Sequence, residues 1–169
     1  MALVVEDGTG LSNANGLVSV ADATTYLADY GNPSAWTSAS TAEKETAIRQ
    51  ATRYMESRYR SRYIGVIAVE GQALGWPRTG AYVDGYEIDD ESVPTPVANA
   101  CAELAVRALS TTLLADLATP GAIKREAVQV GPVRREREYA GAKGESPIYQ
   151  VADGILSLYL RPMGELRRA

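Results

Sequence analysis

The chain has 169 residues, of which 46% are hydrophobic and 22% charged, so it has enough apolar material for a core of its own and is far from the composition of a disordered chain. It carries no histidine and one cysteine, Cys101, which excludes an internal disulfide, a Cys/His zinc site and any mechanism that needs a histidine base. Its formal charge of −4 lacks the overall basic footprint of a nucleic-acid binder, and ten Tyr beside no Phe suit half-buried and interfacial positions.

The start, Met1 to Asp7, turns acidic too soon for a signal peptide, and no apolar run reaches the ~20 residues that cross a membrane, so synthesis in a cytoplasm and no membrane partner are expected. Leu3-Val4-Val5 reads as a short strand or arm before a loop rich in Gly, Asn and Ser. Ser19 with Asp22 caps a short helix carrying Val20, Ala23, Leu27 and Tyr30 on one face, stopped at Gly31-Asn32-Pro33. Ser40 with Glu43 forms a capping box for a helix to about Arg60, its stripe made of Ala47, Ile48, Ala51, Tyr54 and Met55. Residues 64 to 93 hold five Gly, a Trp-Pro pair and the acidic residues Asp84, Glu87, Asp89, Asp90 and Glu91, and read as a long ordered loop. Thr95 as N-cap and Pro96 then open a helix to about Ala115, charged only at Glu103 and Arg107, which is the expected central buried helix.

From Ile123 to Tyr139 two strand-like stretches flank Gly131-Pro132, a β-hairpin bearing Lys124, Arg125, Arg134, Arg135 and Arg137. After a break at Gly141 to Gly144, Ser146-Pro147 opens a last helix with Tyr149, Ala152, Leu156 and Tyr159 at helical spacing, ended by Pro162, and a tail with Glu165, Arg167 and Arg168. The expected fold is mainly α: a small helical bundle with a projecting β-hairpin, a long ordered loop and a C-terminal helix. The expected division is a helical domain over 1–140, including the hairpin at 123–139, and a docking arm over 145–169.

No motif for chemistry stands out. The acidic loop lacks the alternating oxygen ligands and distal Glu of a calcium loop, no Ser-x-x-Lys or phosphate-binding loop is present, and Cys101 lies in an apolar helical run. No catalytic residue, metal or cofactor is expected, and the chain reads as an assembly part rather than an enzyme. The run Arg53 to Tyr63 interleaves Arg with Tyr, as single-stranded nucleic-acid binders do, but on a helix Arg58 and Arg62 lie apart from the apolar stripe that holds Tyr54, which favours snorkelling over DNA contact.

Three stretches carry a resemblance: Val4-Val5-Glu6-Asp7-Gly8-Thr9-Gly10 through Asn13-Ala14-Asn15; Leu74-Gly75-Trp76-Pro77-Arg78-Thr79-Gly80; and Val93-Pro94 leading into Ala100 to Leu109. Over about residues 3 to 160 the chain resembles a tailed-phage family labelled DnaT-like single-stranded DNA-binding protein, whose members are similar to head-tail adaptor (connector) proteins. The resemblance implies a virion neck protein: a dodecameric ring beneath the portal protein, followed by a head-closure (stopper) or tail-terminator protein, with genomic double-stranded DNA passing through without sequence-specific contact. On that implication Tyr149, Leu156, Tyr159 and Leu160 bind the portal. Asp84, Glu87, Asp89 and Asp90 meet Arg58, Arg62, Arg134 and Arg135 between subunits, while Trp76, Pro77 and Arg78 anchor the long loop. The alternative is a single-stranded DNA-binding protein of phage replication.

Overall fold

The computed structural model describes residues 2–114, 123–129, 134–139 and 149–162, the second and third of these as backbone. The fold is mainly α with a β-hairpin. The described residues fall in two compact units, one within Met1–Leu113 and Tyr149–Ala169, the other within Leu114–Ile148.

The first unit is a helical bundle built from α1 (Val20–Asp29), α2 (Ser34–Ser38), α3 (Thr41–Tyr59), α4 (Thr95–Ala108) and α5 (Gln150–Leu156). Ser19 accepts the Asp22 amide at the start of α1. At α3, Ser40 and Glu43 satisfy each other's backbone amides, which is worth about 1 kcal/mol. Pro94, not Thr95, is the N-cap of α4, and that helix stops at Ala108, short of the expected Ala115. The amide of Leu109 and the two that follow fold back onto Ala105 and Arg107 carbonyls. Glu103 and Arg107 pair at 3.0 Å on the outer face.

The inner face of α4 holds Val97, Ala100, Cys101, Leu104 and Ala105, all buried, and it packs against α1, α3 and α5. Alanines on this face bring the neighbouring backbones close. Cys101 touches the Thr52 hydroxyl of α3 at 3.4 Å, and that hydroxyl also accepts the Leu17 amide, so one buried polar contact joins two helices to the N-terminal loop. Burial pushes the Cys101 thiol up to about 11.

Two features depart from the expected elements. The five-residue α2 exists to bury Trp36, whose Nε1 donates to Thr24 of α1 at 3.0 Å. Residues 64 to 93 are not one loop but two short antiparallel ribbons, β1 (Val66–Ile67) with β2 (Arg78–Thr79), and β3 (Tyr82–Val83) with β4 (Tyr86–Glu87). The second turns on Asp84-Gly85, both in the left-handed region at φ 53 and 85, the pair of positive φ values a two-residue hairpin turn requires. In the second unit, β5 (Ile123–Gln129) pairs with β6 (Arg134–Tyr139) from Gln129↔Arg134 out to Ile123↔Tyr139, with an irregularity between Ile123 and Arg125. The 141–144 break and the Glu165, Arg167 and Arg168 tail lie outside the described residues.

The Glu6 to Leu11 segment is shaped by a buried carboxylate. Glu6, 5% exposed, accepts the amides of Gly8, Gly10 and Leu11. Gly8 sits at φ +102 with the Glu91 carbonyl 1.8 Å from where a Cβ would be, so no other residue fits without moving a backbone. Gly8→Ala is expected to lower the urea midpoint, with a loss of more than about 1 kcal/mol. A variant as stable as the native chain would show that this packing is dispensable.

Candidate nucleic-acid interface

The run Arg53 to Tyr63 sorts itself by chemistry once it is coiled. Tyr54, Tyr59 and Tyr63 turn inward, at 5%, 0% and 0% exposure, while Arg53 and Arg58 are exposed and Arg60 and Arg62 half-buried. Tyr59 donates its hydroxyl to Asp153 of α5 at 2.6 Å, and burial, reinforced by that bond, pushes its phenol pKa upward. The Tyr54 ring meets Tyr149 edge-on at 5.2 Å.

The arginines on the outer side border a groove of ≈ 640 Å³ at the end of α3, lined by Glu56, Ser57, Arg60, Ser61, Gly65, Val66, Ile67, Arg78 and Arg161. Three guanidinium groups there face one carboxylate. Arg78, 7% exposed, is held most tightly: its Nε donates to the Ile64 carbonyl at 2.6 Å and its two terminal nitrogens to Gly75 and Gly65, each at 3.0 Å. Burial, then the nearby charges of Arg161 and Arg60, draw its pKa below the ordinary guanidinium value. Arg161 reaches the same Gly65 carbonyl at 2.8 Å, and Arg60 donates to Ala73 and to Glu56. The second oxygen of Glu56 accepts the Gly75 amide, and burial raises the pKa of its carboxyl. Arg60 and Arg161 therefore keep donors toward the groove while Arg78 is largely spent on the backbone.

Arg53 extends this charge along the helix. It stands seven residues before Arg60, two turns or about 10 Å along the axis on the same face, with Ser57 between them. It makes no hydrogen bond or ion pair among the described residues. Val66 and Ile67, 56% and 41% exposed, add an apolar shelf.

A second cleft of ≈ 670 Å³ lies between α1 and the start of α4, and it has the opposite character. Asp7, Asp22 and Asp29 are among its lining residues, together with Tyr26 and Tyr30, and no Lys or Arg is. Its charge disfavours the phosphates of a polyanion. Among the described residues, no group of three or more His, Cys, Asp or Glu is placed to hold a metal, and no helix is long and apolar enough to cross a membrane.

The remaining residues expected to act lie in varied settings. Trp76 is fully buried, its ring edge-on to Tyr63 at 5.6 Å and to Tyr159 at 6.0 Å, with Pro77 buried beside it. Leu156 and Leu160 are 0% and 9% exposed, and Leu160 bridges to Tyr63. Tyr149 rests on Tyr54, so the apolar stripe of the last helix finds its partners within the chain. Asp84, Glu87, Asp89 and Asp90 are exposed on or just after the β3–β4 ribbon. Arg134 and Arg135 fall in β6, where the backbone alone is described. Arg161 was not visible as a groove residue in the sequence, because its bond to Gly65 spans 96 positions.

The family model described as "Putative DnaT-like ssDNA binding protein" matches residues 1–169. The chain belongs to this family. No curated protein and no solved structure matches it. The match corrects the head-tail adaptor expectation: the family found is described by single-stranded DNA binding, and nothing found supports a connector ring, a portal or tail partner, a duplex channel or a place in the virion.

If Arg78 is the clamp of this region, Arg78→Met leaves the Ile64 and Gly75 carbonyls without a donor, while Gly65 keeps Arg161, and is expected to cost about 2 kcal/mol or more in urea unfolding. Arg78→Lys recovers only part of that, because one ammonium cannot span the fork. A lysine variant equal to the native chain would sink the clamp.

Proposed function

We propose that the chain is a single-stranded DNA-binding protein, with the groove bordered by Arg60, Arg161 and Arg78, extended by Arg53, as its phosphate seat. The observation that carries the reading is the meeting of Arg60 and Arg161, both with donors left over and backed by the buried charge of Arg78, on one open groove in a chain that is acidic overall, within a family described by single-stranded DNA binding. Guanidinium forks match phosphate oxygens, and the serines at 57 and 61 offer hydroxyl donors on the same wall. The chain has no histidine, so no histidine base stands beside the groove.

The acidic cleft along α1 supports the same reading from the other side. Its carboxylates repel the strand, so the phosphates are confined to the face that carries the arginines.

Anisotropy titration of a labelled oligothymidine across a salt series tests this. Arg53→Ala, and separately Arg60→Gln with Arg161→Gln, are expected to weaken binding and to reduce the slope of log K against log salt by about 0.7 for each phosphate left without its arginine. Binding with native slope and affinity in both variants would remove the groove from the interface.

A further inference from the structure

Single strands are held at two points per nucleotide, the phosphate and the base face, and the arginine groove supplies only the first. The tyrosines of the Arg53 to Tyr63 run cannot supply the second, since Tyr54, Tyr59 and Tyr63 are in the core. Two large rings stand in solvent on the β3–β4 ribbon instead: Tyr82 at 56% and Tyr86 at 80% exposure. The register pairs Tyr82 with Glu87 and Val83 with Tyr86, and neighbouring residues on a strand face opposite ways. The ribbon therefore carries one tyrosine ring on each face.

This ribbon rises from the rim of the groove. A Cβ placed on Gly65 would lie 3.0 Å from the Ala81 side chain, and the Gly65 carbonyl is the one that both Arg78 and Arg161 hold. Tyr82 follows Ala81 directly, and the Ile88 amide closes the ribbon's base on the Ala81 carbonyl at 2.8 Å. The charge on the ribbon is negative, from Asp84 and Glu87, with Asp89, Asp90 and Glu91 next in the chain. Those carboxylates reject phosphate but leave the uncharged face of a base free to stack.

We infer that Tyr82 and Tyr86 are the base-stacking residues of the interface, each taking one unpaired base. The ribbon's carboxylates turn the strand so that its phosphates stay on the arginine side. The inference rests on the single-stranded DNA reading and adds the base-binding half of the site. It also gives the site a preference for unpaired bases, because a duplex has its base faces already stacked.

The test compares a labelled oligothymidine with an abasic strand of equal length and charge, against the native chain, Tyr82→Ala with Tyr86→Ala, and Tyr82→Phe with Tyr86→Phe. Stacking contributes at least about fivefold per base, so the native chain is expected to prefer oligothymidine over the abasic strand by about twentyfold or more. The double alanine variant loses that preference and keeps the salt slope, while the double phenylalanine variant retains both. A double alanine variant that binds oligothymidine within about twofold of native, while the native chain binds with a clear salt slope, overturns this inference and leaves the arginine groove standing. A native chain that binds neither strand overturns the single-stranded DNA reading itself.

Discussion

The guanidinium of Arg78 is withdrawn from solvent and divided among the carbonyls of Ile64, Gly65 and Gly75. Those carbonyls belong to the two ends of a segment that leaves α3 and returns as β2, a stretch too irregular to satisfy its own backbone. Gln72 closes the middle by donating to Leu74 and Pro77 and accepting from Val69, and Glu56 holds Gly75 from the helix. Trp76, buried against Tyr63 and Tyr159, adds the apolar weight that keeps the segment down. The groove, the Val66–Ile67 shelf and the root of the tyrosine ribbon are all parts of this segment or lie against it. Each depends on one buried fork of donors.

The three stretches that carried the family resemblance are the parts that build this frame. Glu6, Gly8 and Gly10 set the N-terminal loop, Trp76 and Arg78 set the clamp, and Pro94 begins the central helix. Residues of that kind specify a backbone. The residues that would recognise a ligand, exposed Arg53, Tyr82 and Tyr86 and half-buried Arg60 and Arg161, all lie outside those stretches. Frame residues of this kind say little about a ligand, and the adaptor role drawn from the resemblance is overturned by the family match.

Local signals in the sequence specify the most. The Ser40–Glu43 box, the Glu103–Arg107 pair and the apolar face of α4 follow from spacing alone, as does the pairing of β5 with β6. Asp84-Gly85 was an equally local turn signal between Tyr82-Val83 and Tyr86-Glu87, hidden by the surrounding acid and glycine. In the Arg53 to Tyr63 run, Tyr54 is buried and Arg58 exposed as their spacing implies, while Arg62, just past the end of α3, is half-buried. What spacing could not give is tertiary: Arg161 beside Gly65, the stripe of α5 closing on Tyr54 and Trp76, and Trp36 buried by a helix too short to announce itself. These depend on closures between residues far apart in the chain, which leave no periodic trace.

The lodging of α5 in the core has a bearing on how the chain is made. Tyr149 completes the ring packing around Tyr54, Asp153 receives the Tyr59 hydroxyl, and Leu156 fills a fully buried position. While a ribosome is still translating the residues before 149, α3 and α4 exist without the element that covers one of their faces. The bundle is thus closed only once residues 149–160 are made, and the faces of α3 and α4 that they cover stay uncovered until then.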